Sequence, residues 1–192
     1  MIPTYTKYSL LNLKHSYIDE PLVDIALYSN NQILVEMKYD LAHLPGATNR
    51  AFVRQSVAER LMLAASFLPE GYRLKVWDAW RSLTTQQHLY KTTYDVIKAN
   101  NQDVNEDEIL KIASQYISIP NPETYLHGTG GAVDVTIVGP NGKELNMGTE
   151  FDDFSEKSHT DYYNDGCSIM LQNRSLLYDV MTRAGFTNYP VQ

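Results

Sequence analysis

Cysteine is almost missing from this chain: Cys167 is the single one among 192 residues. No disulfide can form within the chain and no cysteine-rich zinc knuckle can be built, which fits a reducing compartment. Positive charge is scarce as well. Lys and Arg number 16 against 23 Asp and Glu, a formal net charge of -7, and the basic residues are scattered without a run. Such a surface offers no electrostatic footprint for nucleic acid or for an anionic membrane, so neither is expected as a partner. Long apolar runs are lacking too: "LMLAASFL" at 61–68 falls far short of the roughly 20 residues that cross a bilayer. "MIPTYTKYSLLNLKHSY" carries no apolar stretch behind a basic segment, and a cytoplasmic location is expected. Internal repeats, low-complexity segments and linkers are absent. The 43% hydrophobic and 11% aromatic content suffices for one domain over 1–192 with a sizeable core.

What is present reads as alternating short strands and longer helices. "VDIALY" and "QILVEMKY", separated by "SNN", predict two strands joined by a tight polar turn. "ATNRAFVRQSVAERLMLAASFLPEG" places Phe52, Val53, Val57, Leu61, Ala64 and Leu68 at helical spacing, with Thr48 or Asn49 as caps and Pro69 and Gly71 as the stop. "YRLKVWDAW" alternates Tyr72, Leu74 and Val76 with Arg73 and Lys75, a half-buried strand that delivers Asp78 and Arg81 to its end. A second helix is predicted from Thr84 to Ala99, with Leu89, Tyr90, Thr93, Val96 and Ile97 on one side. "NEDEILKIASQYISIP" opens on a capping-box-like Asn105 and Glu108 and should bury Ile109, Ile112, Ala113 and Tyr116. "AVDVTIV" predicts a strand followed by a hairpin turn in "GPNGKEL", and a last helix runs from about Asn173 to Ala184, closed by Gly185. The expected class is α+β, a central antiparallel sheet flanked by helices.

"YLHGTGGAVDV", from Tyr125 to Val135, concentrates the chemistry. Gly128, Gly130 and Gly131 free the backbone, so that His127 and Asp134 can point into one space. A neutral imidazole and a carboxylate are zinc ligands, and catalytic zinc sites combine three protein ligands with one open position. Asp134 sits between Val133 and Val135 in an apolar strand, where an unpaired carboxylate is costly. A backbone N–H or an arginine would satisfy it as well as a metal would, and a surface histidine beside a strand-starting aspartate is the plain alternative.

"VWDAWRS", "HGTGGAVDVTI", "LNMGTEFDDFSEKSH" and "NRSLLYDVMTRAGF" occur in the order and approximate spacing of the D-alanyl-D-alanine dipeptidases, zinc peptidases known from vancomycin resistance. The chain resembles that family from about Tyr28 to Gln192. The resemblance implies zinc as cofactor, with His127 and Asp134 as two of its ligands, and a small dipeptide as substrate. It implies that Arg81, matching the arginine of Asp-x-Tyr-Arg-Pro, steadies a developing oxyanion, with Trp80 and Ser82 replacing tyrosine and proline and a salt bridge to Asp78 or a nearby carboxylate as the plain alternative. Asp152, matching the aspartate of Gly-Thr-x-Phe-Asp, would receive the substrate's ammonium group, with Asp153 as its neighbour and a solvated acidic loop as the plain alternative. Tyr125 stands where the family has serine, two residues before the first ligand. The family's Glu-x-x-His, general base and third ligand, follows a Gly-Phe...Pro segment; here "AGFTNYPVQ" puts Gln192 at the glutamate position. A glutamine amide takes no proton at neutral pH, so weak zinc binding and slow or absent hydrolysis are expected of these 192 residues. His159 is the substitute ligand to consider first, ahead of His88, His15 and His43. Two other readings are a non-catalytic zinc- or peptide-binding relative and a peptidase acting on longer peptidoglycan stems.

Overall fold

In the computed structural model, residues 20–29, 31–121, 125–153, 155–163 and 168–190 are described; His15, Cys167 and Gln192 lie outside them. Among the described residues the strands are β1 (Leu22–Asp24), β2 (Ile33–Val35), β3 (Phe52–Arg54), β4 (Arg73–Asp78) and β5 (Asp134–Val138). The helices are α1 (Ile25–Tyr28), α2 (Lys38–Leu41), α3 (Gln55–Ser66), α4 (Leu83–Asn100), α5 (Glu106–Tyr116) and α6 (Ile169–Arg183). None of the described helices is long and apolar enough to cross a membrane.

The α+β class is as expected, and the sheet is mixed rather than purely antiparallel. It has the order β2-β4-β5, with β2 parallel and β5 antiparallel to β4. The expected hairpin between "VDIALY" and "QILVEMKY" does not form. The Asp24 side chain accepts from the Ala26 N–H at 3.1 Å and starts the helical turn α1, which turns the chain away before it can double back. β1 pairs instead with β3 in a separate antiparallel ribbon.

Pairing also shortens the first long helix. Phe52 and Val53 fit helical spacing, but β1 offers them a strand partner, and the helix starts only at Gln55. Its Val57, Ala58, Leu61, Ala64 and Ala65 are buried against Leu74, Val76 and Ile137 of the sheet, and α6 packs alongside through the same core. Each such fully buried Leu, Ile or Val stabilises by about 1.5–3 kcal/mol. β4 alternates as expected, with Leu74, Val76 and Asp78 on its buried face.

α4 and α5 pack on each other. The predicted cap of α5 is present, the Asn105 side chain accepting from the Glu108 N–H at 3.0 Å. The buried side of α4 carries Thr85, Gln86 and Thr93, whereas Val96 is exposed. After β5 the hairpin turn closes through Gly139 N–H to the Lys143 carbonyl at 2.9 Å. α6 begins earlier than expected because Ser168 caps it, accepting from the Leu171 N–H, and Gly185 ends it at φ 89°.

Candidate active site

The register of β4 and β5 sets Asp78 directly opposite Asp134. Two carboxylates so placed repel each other, and the pairing is irregular between Val76 and Asp78, a bulge that re-aims the strand end. The opposition is tolerable only if positive charge stands between them. Arg81 and His127 supply it.

Arg81 follows β4 in the segment that leads to α4, whose N-cap is Ser82. Its guanidinium reaches Asp78 Oδ2 through Nε at 2.9 Å and Nη2 at 2.8 Å, and Gln86 Oε1 through Nη1 at 2.9 Å. Nη2 also stands 3.6 Å from Asp134 Oδ2. Arg81 is 8% and Asp78 3% exposed, so this is a buried pair whose geometry is imposed by its surroundings. Gln86 is itself held, donating through Nε2 to the Ser118 carbonyl at 2.6 Å.

His127 lies in a short 3-10 turn, His127–Thr129. Gly130 ends that turn at φ 70°, and a side chain there would fall 2.3 Å from Leu22 Cδ2. Gly130 also accepts from the Arg54 N–H at 3.0 Å, so only glycine lets the turn close onto β3. Gly128 is needed for space, since a side chain would enter the Tyr125 ring. Tyr125 is buried and donates to the Arg81 carbonyl at 3.1 Å, which ties its hydroxyl to the backbone of Arg81.

The His127 ring is held from one side. Nδ1 is 2.8 Å from the Ala79 carbonyl and 3.2 Å from Asp78 Oδ2, both acceptors, so Nδ1 carries a proton. Nε2 faces Asp134, with Oδ1 3.5 Å away. Ligands of one tetrahedral zinc, with bonds of about 2.0–2.1 Å, stand about 3.4 Å apart. The pair therefore has the spacing of two corners of one coordination shell, and a carbonyl or carboxylate behind the other ring nitrogen is the usual support of a ligating histidine. Asp78 completes the only group of metal-capable side chains among the described residues, its ligand atoms lying within 4.8 Å of the other two. Its Oδ2 is already bonded to Arg81, which suits orientation of His127 better than ligation.

Without a metal the same two groups form an ion pair. Burial disfavours the His127 charge, but the Asp134 carboxylate, with help from Asp78, raises the pKa to about 9. Burial likewise works against the Asp134 charge, and His127 holds its pKa below the ordinary value.

Asp152 stands on the other flank of Arg81. Its carboxylate accepts from Tyr39 Oη at 2.9 Å, and Tyr39, buried in α2, in turn accepts from Arg81 Nη2 at 3.4 Å and lies under the guanidinium at 4.8 Å. Burial keeps Tyr39 protonated by raising its pKa well above the usual value. Asp152 is exposed as a residue, yet desolvation of its carboxyl and the nearby Asp134 raise its pKa to about 6, a shift that solvent access moderates. Phe151 packs on Tyr39 and Trp77, each at 5.4 Å between ring centres, and forms an aromatic wall beside the carboxylate.

The four residues read from sequence thus gather around one centre, Arg81 between the His127 and Asp134 pair and Asp152. Asp153 turns away and accepts from the Ser155 N–H at 2.8 Å. His43, His88 and His159 are not in the metal-capable group. Sequence reading passed over Tyr39 and Gln86. The signal for Gln86 was a polar residue on the buried side of α4; Tyr39 had none.

A histidine and an aspartate at the spacing of metal ligands beside a buried arginine fit the class of metal-dependent hydrolase sites. The profile of the family described as D-ala-D-ala dipeptidase matches residues 23–192, and the chain belongs to that metallopeptidase family. It is 26% identical over 161 residues to the D-alanyl-D-alanine dipeptidase of Synechocystis, covering 72% of this chain and 65% of that protein. Similarity to the D-alanyl-D-alanine dipeptidase of Escherichia coli is 26% over 176 residues, with 86% and 78% covered. That of Enterococcus faecium is 26% identical over 157 residues, 75% and 71% covered. The chain spans less than two thirds of the length of the Synechocystis relative.

Proposed function

We propose that this chain is a zinc-dependent hydrolase of the dipeptide D-alanyl-D-alanine, acting in peptidoglycan-precursor metabolism in the cytoplasm. The observation that carries the reading is the 3.5 Å separation of His127 Nε2 and Asp134 Oδ1, with Nδ1 tied back to Ala79, next to the buried guanidinium of Arg81. His127 and Asp134 would hold the zinc. When bound, such an ion acidifies a water molecule and polarises a carbonyl.

The remaining roles belong to the chain's own groups. Arg81 is fixed on three sides by Asp78, Gln86 and Tyr39, and a guanidinium that need not reorganise stabilises developing negative charge at an attacked carbonyl. Asp152 receives the substrate's ammonium group, which restores the countercharge it lacks beside Asp134. Tyr39 links the two, so the distance between ammonium and scissile carbonyl is set by one rigid connection. The aromatic wall of Phe151 and Trp77 excludes water from that span. The position that the family resemblance assigns to the proton-transferring glutamate is held by Gln192 in this sequence, and it falls outside the described residues.

Purified protein is to be assayed for zinc content and for dipeptide hydrolysis, beside a version extended by a Glu-x-x-His segment. Turnover that requires zinc supports the enzyme. Zinc and dipeptide binding without turnover in either version would replace it with a non-catalytic binding relative.

A further inference from the structure

The "NRSLLYDVMTRAGF" segment of α6 has no part in the site described so far, yet one of its side chains reaches the loop that carries Asp152. Arg174 Nε donates to the Met147 carbonyl at 2.6 Å, Nη1 to the His159 carbonyl at 2.6 Å and Nη2 to the Lys157 carbonyl at 2.7 Å. Met147 precedes Asp152 and the other two follow it, so a single guanidinium holds both flanks of the segment. Among the described residues no carboxylate pairs with Arg174, and its charge is spent on peptide oxygens. Tyr163 reinforces the grip. Its ring lies 4.8 Å from the Arg174 guanidinium, and its hydroxyl donates to the Gly148 carbonyl at 3.2 Å. Gly148 has φ 93°, and a side chain there would fall 2.5 Å from that ring. The neighbouring Asn173 donates to the Asn146 carbonyl at 2.8 Å.

Asp152 itself has φ 59°, a left-handed conformation that a residue other than glycine keeps only where its surroundings impose it. Tyr39 holds the carboxylate end and Arg174 the backbone flanks. α6 is seated in the core through Val180, 0% exposed, so the clamp refers the segment to a helix packed in the core. Only a planar fork of donors serves three divergent carbonyls at once; a lysine ammonium on a flexible stem does not.

We propose that Arg174 is a positioning residue for ammonium recognition, fixing from α6 where the Asp152 carboxylate stands. The inference rests on the reading of Asp152 as the group that receives the substrate's ammonium.

The test uses the zinc-supplemented protein with Arg174→Lys and Arg174→Gln, each also in an Asp152→Asn background. Amide exchange of Asp153, Ser158 and His159 should quicken by about tenfold or more in both variants, while amides of α3 keep their protection. Affinity for D-alanyl-D-alanine, measured by calorimetry, should fall about tenfold in the single variants and by no further factor when Asp152 is already asparagine. Unchanged exchange overturns the clamp. An equal loss of affinity with and without the Asp152 carboxylate overturns the link to ammonium recognition and makes Arg174 merely structural. If the wild-type protein binds no dipeptide while the variants still loosen the segment, the reading of Asp152 falls and the clamp stands.

Discussion

β4 carries two charge clusters, and they obey different rules. On its half-exposed face Lys75 bridges Glu36 at 2.6 Å and Glu144 at 2.9 Å, and Lys38 joins Glu36 at 2.6 Å, with side chains 14–35% exposed. On its buried face, three residues on, Asp78 meets Arg81 with side chains 4% and 9% exposed. Both clusters interleave acids and bases. Water can replace any partner in the first, so its geometry is loosely determined and its net contribution small. The second has no water to fall back on, so each partner must stay, and the geometry that results is the one a reaction can use.

The sharpest way to break this contrast is to remove Arg81. Arg81→Ala leaves the buried Asp78 with His127 Nδ1 at 3.2 Å as its remaining cationic partner, and should destabilise by about 3–5 kcal/mol in a denaturant titration. Arg81→Lys should keep the charge and part of the stability, and still lower kcat by roughly 10²–10³. A lysine variant with wild-type turnover would remove Arg81 from the mechanism.

Next in size is the metal pair. His127→Ala or Asp134→Ala should weaken zinc binding by at least about 100-fold in competition with a chelator, the upper end of what losing only a supporting group costs. Asp78→Asn should weaken it by about 10-fold to 100-fold, because it supports His127 rather than ligating. Equal losses for Asp78 and Asp134 would make Asp78 a ligand.

The pH dependence sharpens the same point. Zinc needs neutral His127, whose pKa is raised to about 9 in the metal-free protein, so affinity should rise up to about tenfold per pH unit toward pH 9 and then level off, releasing one proton. Stability of the metal-free protein moves the other way. The folded pKa lies above the unfolded value near 6.5, so the contribution of the ion pair is full below that value and lost as pH rises through about 9. Thermal melts with and without zinc between pH 6 and 9 should therefore diverge. Parallel melts would show that the two side chains do not share a metal.

The smallest effect belongs to the exposed cluster. Glu144→Gln should change stability by under about 1 kcal/mol, and less still in high salt, without altering zinc binding. A larger loss would mean that the half-exposed network is not as dispensable as its solvation implies.

Periodicity made β4 and α5 legible in the sequence, because one face of each must be buried and the spacing of apolar residues records it, and turn residues did the same for the hairpin after β5; α4 was legible in extent, but its buried side is Thr85, Gln86 and Thr93 rather than the apolar side expected. It misplaced β3 as the start of α3, since Phe52 and Val53 suit either element and only the pairing with β1 chose between them. The chain order of His127 and Asp134 with glycines between them determined that the two side chains could meet, and the single cysteine excluded a disulfide within the chain. That Asp78 faces Asp134, that Tyr39 ties Arg81 to Asp152, and that Arg174 grips the loop from the helix that follows it were decided by tertiary structure alone. Each joins residues whose separation in sequence carries no periodic signal, and a hydrogen bond between them exists only once the sheet register and the packing of α6 have brought their elements together.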